Sequence, residues 1–214
     1  MSVKIGINGF GRMGRLGLRA GWDNALFEFV RINEIAGNAE CSAHLLKFDS
    51  VHGTWPVETS ARDISAQEKQ VVVDNQIIGY SSDEDIAQSD WSNCDIVIEA
   101  TGVHHKKPEL LEEYFRQGVK KVIVAAPTAG ALNIVYGINH RDYDTAQHHL
   151  ITAASCTTNC LAPVIKVMHE KVGIKHGCMT TIHDITNTQT IVDKGHKDLR
   201  RARSCSQSLI PTST

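Results

Sequence analysis

Several features are missing from this sequence, and each absence closes a class of function. The longest apolar runs, in "DIVIEA" and "KVIVAAP", fall far short of the roughly 20 residues that cross a bilayer. The opening "MSVKIGING" has no signal-peptide h-region and no Arg-rich transit character, so a cytoplasmic protein is expected. There is no basic stripe to argue for nucleic acid and no polybasic end to argue for a membrane surface. Net charge is −2, and the 21% of charged residues mix both signs along the chain. No C-x-x-C pair occurs among the six cysteines, at 41, 94, 156, 160, 178 and 205, which fits reduced thiols in a reducing compartment. Cys156 and Cys160 have the wrong spacing for a zinc knuckle, and no metal site is expected. A disulfide between positions i and i+4 is not expected on geometry. Neither repeats nor low-complexity segments are present.

What is present suits one or two globular domains: 214 residues with 42% hydrophobic content. A short buried strand, "VKIGIN", is followed by a glycine turn and a helix with Met13, Leu16, Gly17 and Ala20 on one face. "FEFVRINE" reads as a second strand and "AECSAHLLKF" as a helix. Residues 54 to 82 read as β-hairpins, with a turn at Asp74-Asn75. "CDIVIEATG" and "VKKVIVAAP" are buried strands. Between them "KPELLEEYFRQG" is a helix opened by Pro108 and stopped by Gly118, with Leu111, Tyr114 and Phe115 on one face. This alternation predicts a doubly wound, Rossmann-type parallel α/β sheet over residues 1–155. After Ser155 a helix is expected to Val172, with Pro163 forcing a late start or a kink. "CMTTIHDITNTQT" reads as a long strand and "VDKGHKDLRRARS" as a polar, basic loop. Residues 156–214 thus read as an incomplete α+β domain, near the size at which a domain is marginal alone.

Gly9, Gly11 and Gly14 form G-x-G-x-x-G after a strand and before a helix. A second strand ends at Glu34, 20 residues beyond Gly14. That context predicts a dinucleotide site. Gly9 permits the tight turn, Gly11 lets a diphosphate approach, and Gly14 allows close helix–strand packing. The helix start favours the diphosphate, and Arg12 can add charge there. Glu34 accepts from the ribose hydroxyls and repels a 2′-phosphate, which favours NAD over NADP. The competing reading is a glycine turn that binds nothing.

Cys156 follows "LITAAS" at a strand-to-helix turn, where the helix end lowers a thiol's pKa. A nucleophilic thiolate needs a partner, and His183 in "TTIHDIT" is the best candidate. From spacing alone, the reading of a buried structural cysteine and a satisfied strand histidine stays open and is the commoner case. His104-His105 and His148-His149 are sequence neighbours and cannot chelate from one helix face.

Together "INGFGRMGR", "IEATGV", "VIVAAP", "ASCTTNCLAPV", "TTIHDITNTQT", "KDLRRAR" and "LIPTST" resemble phosphorylating glyceraldehyde-3-phosphate dehydrogenase across essentially the whole chain. "FVRINEI", "HLLKFDSVHG" and "QSLIPT" look most like the branch associated with arsenate-resistance operons. The resemblance implies an NAD-dependent enzyme in which Cys156 forms a thioester with glyceraldehyde 3-phosphate and His183 is the base. Phosphate, or arsenate in that branch, releases the product. It matches Asn8, Arg12, Met13, Glu34, Thr101 and Gly102 to cofactor contacts. Ser155, Thr157 and Thr214 match the pocket of the attacking phosphate, and Thr186 matches that of the substrate's own phosphate. A homotetramer is implied as well.

This sequence departs from the family at three points. Glu34 stands where many members have Asp, which keeps the charge. A proline of the basic loop is replaced near Lys194-Gly195. The family chain is longer by roughly a third of its length. The alternative expectation is therefore a non-catalytic NAD-binding remnant. A sister activity on erythrose 4-phosphate would share the same chemistry.

Overall fold

The computed structural model describes residues 2–65 and 68–212. The chain divides into two compact units, Met1–Ala154 and Ser155–Thr214.

The first unit is built on one sheet with nine strands among the described residues. Its strands are β1 (Val3–Asn8), β2 (Phe27–Asn33), β5 (Thr59–Asp63), β6 (Lys69–Val73), β7 (Gln76–Ser81), β8 (Ile96–Glu99), β9 (Lys121–Val124), β10 (Leu132–Asn133) and β11 (Leu150–Thr152). They lie in the order β10-β11-β9-β8-β1-β2-β7-β6-β5. Every neighbouring pair from β10 to β7 is parallel, and β7, β6 and β5 continue the sheet as antiparallel hairpins. A small ribbon, β3 (Phe48–Asp49) with β4 (Gly53–Thr54), stands apart from the sheet. The chain leaves β1 toward β2 on one side, while β8 lies on the other. The carboxyl ends of β1 and β8 therefore meet at the switch point where open α/β sheets bind ligands.

Local chemistry explains most of these elements. The β6–β7 hairpin turns at Asp74 (φ 45°) and Asn75 (φ 67°), the two positive angles that a type I′ turn requires. Helix α2 (Ala39–Lys47) is capped by Asn38, whose side chain accepts the Cys41 N–H at 2.8 Å, and it buries Ala39, Ala43 and Leu46 at helical spacing. Pro108 opens a 3₁₀ turn, Pro108–Leu111, that runs into α3 (Glu112–Arg116); Gly118 (φ 98°) follows the end of α3. Leu111 and Tyr114 are fully buried there. Trp91 packs edge-on against Tyr114 at 5.4 Å in one core cluster. Trp22 stacks on Phe29 and meets Trp55 edge-on beside the other. Fully burying a side chain such as Ile32 or Leu46 contributes about 1.5–3 kcal/mol.

One expectation about this unit changes. Helix α1 (Arg12–Gly21) buries Gly14 and Leu18, not the face of Met13, Leu16, Gly17 and Ala20. A Cβ on Gly14 would lie 2.2 Å from the Gly9 carbonyl oxygen, so the helix meets the sheet through this glycine. The point of closest approach sets the face, and Met13 stays exposed.

The second unit holds α4 (Cys156–Val172), closed by Gly173 at φ 76°. The helix starts at Cys156, so Pro163 sits inside it and does not delay it. "CMTTIHDITNTQT" does not form the expected strand: no ladder includes it among the described residues. A strand exists through a hydrogen-bonded neighbour, and an alternating pattern supplies only the tendency. Met179, Ile182 and Ile185 accordingly remain exposed, as do Val164, Val167 and Met168 on α4. The basic loop is held by local bonds. Lys194 N–H donates to Ala202 O, Cys205 N–H to Thr190 O, and Arg203 pairs with Asp193 at 3.2 Å.

Candidate functional site

The ends of β1, β2 and β8 lie side by side, Asn8 opposite both Asn33 and Glu99, at the switch point where open α/β sheets have their ligand crevice. Gly9 turns the chain at φ 87°, and a Cβ there would meet the Thr101 nitrogen at 2.4 Å. Gly11, the N-cap of α1, has nothing within 4 Å of where its Cβ would be. α1 has no side-chain cap and no acidic residue in its first turn, and space is open where a Gly11 side chain would stand. That opening fits a diphosphate, and the residues present fit a dinucleotide. Thr101 and Gly102 (φ 71°) follow β8, and open space surrounds Gly102 as well.

Glu34 sits just past β2. Its carboxylate accepts the Phe10 N–H and the Ala36 N–H, both at 2.7 Å. The acid expected for the ribose thus also clamps the glycine loop. The Arg12 guanidinium pairs with Asp49 at 2.8 Å through one nitrogen and stays half exposed. Backbone N–H groups of His52 and Val51, with Arg12, hold the Asp49 carboxyl down at about 2. Asn8 differs from expectation. Its amide donates to Glu99 Oε2 (3.1 Å) and Tyr114 OH (2.6 Å), and its oxygen accepts from Asn33 (2.8 Å). The side chain works inside the protein. Met13 lies exposed in the first turn of α1.

Sequence reasoning missed the group beneath this crevice. Glu99 is 1% exposed and Tyr114 is fully buried, with His104 and Asn33 close by. A signal was available: "DIVIEATG" ends a buried apolar strand on a carboxylate, and buried glutamate is rare unless paired.

The second unit brings Cys156 and His183 together. Cys156 is the first residue of α4, with Ser155 as N-cap accepting the Thr158 N–H at 3.1 Å. Ser155 and Thr158 hydroxyls also bond at 2.7 Å. Cys156 Sγ lies 3.1 Å from His183 Nε2. His183 Nδ1 is 2.7 Å from the Asp184 carbonyl, so Nδ1–H donates there and Nε2 is left to face sulfur. Partial burial works against the Cys156 thiolate, but the His183 hydrogen bond, the Thr157 N–H and the imidazolium charge outweigh it, and its pKa falls below the ordinary value. The Asp184 carbonyl first, then the Cys156 sulfur, raise His183. The pair can form thiolate and imidazolium.

Thr157 is buried one residue along, and Cys160 is exposed one turn further. Thr186 forms a turn, its N–H and hydroxyl both donating to Gln189 Oε1 at 2.9 Å. Thr214 lies outside the described residues. No cluster of metal-binding side chains occurs, and no helix is long and apolar enough to cross a membrane, among the described residues.

Two family models match this chain. Residues 3–107 match the glyceraldehyde 3-phosphate dehydrogenase NAD binding domain, and residues 155–214 match the C-terminal domain of the same enzyme. Among curated relatives, glyceraldehyde-3-phosphate dehydrogenase 3 of Nostoc sp. is 56% identical, with 100% of this chain and 63% of the relative covered. Glyceraldehyde-3-phosphate dehydrogenase 1 of Bacillus cereus is 48% identical over 99% of this chain and 62% of its own length. The Geobacillus stearothermophilus enzyme is 45% identical, with 100% and 63% covered. The chain thus spans less than two thirds of the length of these relatives. With both of its parts matched by models of one family, it belongs to the glyceraldehyde-3-phosphate dehydrogenase family.

Proposed function

We propose that the chain carries the NAD-dependent oxidation of glyceraldehyde 3-phosphate through a thioester on Cys156, with phosphate or arsenate as acceptor. The observation that supports this most is the 3.1 Å contact between Cys156 Sγ and a His183 whose tautomer is held by Asp184. In this reading residues 1–155 bind NAD and residues 156–214 bear the nucleophile and its base. The enzyme is cytoplasmic and a homotetramer, as the family resemblance implies.

Gly9, Gly11 and Gly14 shape the cofactor crevice, and the backbone at Arg12 and Met13 offers N–H groups to the diphosphate. Asn8 supports the turn, Glu34 takes the ribose hydroxyls, and Thr101 and Gly102 line the other lip. The Cys156 thiolate attacks the aldehyde carbon, forming a C–S bond and an oxyanion. His183 Nε2–H protonates that oxygen and takes the proton back as the carbon is oxidised. When bound, NAD supplies the acceptor for the hydrogen and electron pair that leave this carbon. An oxygen of the acceptor then attacks the thioester carbonyl, the C–S bond breaks, and the thiolate returns to its imidazolium. Ser155, Thr157 and Thr214 hold the attacking oxyanion, and Thr186 holds the substrate phosphate.

NADH formation tests the proposal. One NADH per chain is expected without an oxyanion acceptor, because the thioester accumulates. Continuous formation is expected once phosphate or arsenate is added, and kcat/KM for each ranks the two acceptors. Tight NAD binding with no NADH under any condition would leave only the non-catalytic alternative. Side-by-side rates on erythrose 4-phosphate separate the sister activity.

Cofactor choice gives a second test. Glu34→Gln is expected to weaken discrimination against NADP about tenfold, since the repelling charge is gone. The substitution keeps one acceptor oxygen, so one of the Phe10 and Ala36 N–H groups, each held by its own Glu34 oxygen, loses its partner as the charge is removed. An unchanged ratio of NAD to NADP affinities would show that Glu34 is not the discriminator.

A further inference from the structure

Glu99 ends β8 with 1% of its surface exposed, and a buried carboxylate is costly unless paired and hydrogen-bonded. Here it is both. Oε1 accepts the Thr101 N–H at 3.0 Å and also the Thr101 hydroxyl. Oε2 accepts Asn8 Nδ2 at 3.1 Å, Tyr114 OH at 2.7 Å and His104 Nδ1 at 3.2 Å. These donors come from both lips of the cofactor crevice. Asn8 immediately precedes Gly9, and Thr101 immediately precedes Gly102. The backbones of Gly9 and Thr101 are already so close that a Cβ on Gly9 would strike the Thr101 nitrogen. One carboxylate therefore ties the glycine loop to the segment after β8.

We propose that Glu99 and His104 are positioning residues for the dinucleotide: their pair fixes the Ala100–Gly102 lip, and a proton is taken up on His104 when the cofactor binds. This inference rests on the dinucleotide reading above.

The direction of the coupling follows from charge. Asn8, Thr101 and Tyr114 donate to Glu99 without carrying charge. Burial and the neighbouring Glu99 keep the Tyr114 hydroxyl protonated, its pKa pushed far up. His104 alone among these partners can bring a positive charge to the carboxylate. Asp85, ahead of the Ile86–Gln88 turn, adds a second negative charge toward His104. A diphosphate brings more negative charge into the crevice that Glu99 underlies, which favours the protonated imidazole. The Glu99 hydrogen bond already raises His104 above its ordinary value, against the opposing effect of burial. Cofactor affinity is thus full below the pKa of the free-state imidazole and weakens as pH rises through it. By reciprocity, cofactor binding raises that pKa further.

The test follows the His104 imidazole by NMR, in the chain alone and saturated with NAD, with His104→Gln used to assign the resonance. NAD affinity is measured in parallel by calorimetry from about pH 6 to about pH 9, the span across which such an imidazole titrates. We expect an upward pKa shift on NAD binding, an affinity loss of about fivefold or more across the range, and a flatter profile in His104→Gln. Glu99→Gln, if it folds, should bring the His104 titration back toward the ordinary value. NAD binding with an unmoved His104 pKa, or an unchanged pH profile in His104→Gln, would overturn the inference alone. Absence of NAD binding at every pH would overturn the dinucleotide reading and this inference with it.

Discussion

With Cys156 replaced by serine, fast alkylation of the chain by iodoacetamide near neutral pH is expected to vanish, while Cys160→Ala retains it. The thiolate is the reactive form, and an ordinary cysteine is only a few per cent thiolate at pH 7. Cys156 begins a helix and lies 3.1 Å from His183 Nε2, so its thiolate persists to lower pH than usual. His183 is shifted the other way and keeps its proton to higher pH. Both shifts favour the thiolate–imidazolium pair over the neutral one. Alkylation should be about tenfold or more faster than at an ordinary exposed thiol. Burial pushes the Cys94 thiol up to about 11, so it does not compete. Removing the imidazole with His183→Asn should move the rate inflection back up toward the ordinary thiol range. Rate against pH, with peptide mapping of the labelled site, reads all three variants. Equal loss in Cys160→Ala would reassign the nucleophile. In turnover, Cys156→Ser should cost about 10⁴-fold or more, the scale set by nucleophile deletions elsewhere.

The second large effect comes from two neighbouring glycines that behave oppositely. Gly9→Ala places a methyl group 2.4 Å from the Thr101 nitrogen on a backbone already at φ 87°. Both the clash and the strain involve backbone, which cannot rotate away. The expected loss of stability is about 3 kcal/mol or more. Gly11→Ala meets nothing within 4 Å and has no positive φ, so its stability should stay within about 0.5 kcal/mol of the parent. Yet the same methyl group occupies the opening over the α1 N-terminus and should weaken NAD binding about tenfold or more. Denaturant midpoints and calorimetric affinities measure the two. A stable Gly11→Ala that binds NAD as tightly as the parent would place the diphosphate elsewhere.

How much of this was legible in the residues depended on the range of the interactions. The strands "VKIGIN", "CDIVIEATG" and "VKKVIVAAP" stand where their apolar runs predict, because burial on both faces leaves a local signature. The Asp74-Asn75 turn was legible too, since its chemistry lies in two residues. The packed face of α1 was not: Gly14 sets it through contact with Gly9, and a count of apolar residues ignores close approach. The expected strand "CMTTIHDITNTQT" had the pattern but no neighbour to pair with. The ion pair of Arg12 with Asp49, 37 residues on, is not readable from the sequence either. Cys156 and His183 are 27 residues apart, and no spacing rule brings them to 3.1 Å. Glu99 was passed over because its five donors come from four separate residues.

The aromatic packing of the first unit has a spectroscopic consequence. Trp22, Trp55 and Trp91 all precede Ala154, and no Phe, Tyr or Trp occurs from Ser155 to Thr214. Tryptophan emission and near-ultraviolet ellipticity therefore see only residues 1–154. Far-ultraviolet ellipticity also sees the 17 residues of α4. Two optical signals thus divide the molecule along its own boundary. If their denaturation curves coincide, the two units unfold as one cooperative body; if they separate, the nucleophile-bearing helix melts on its own.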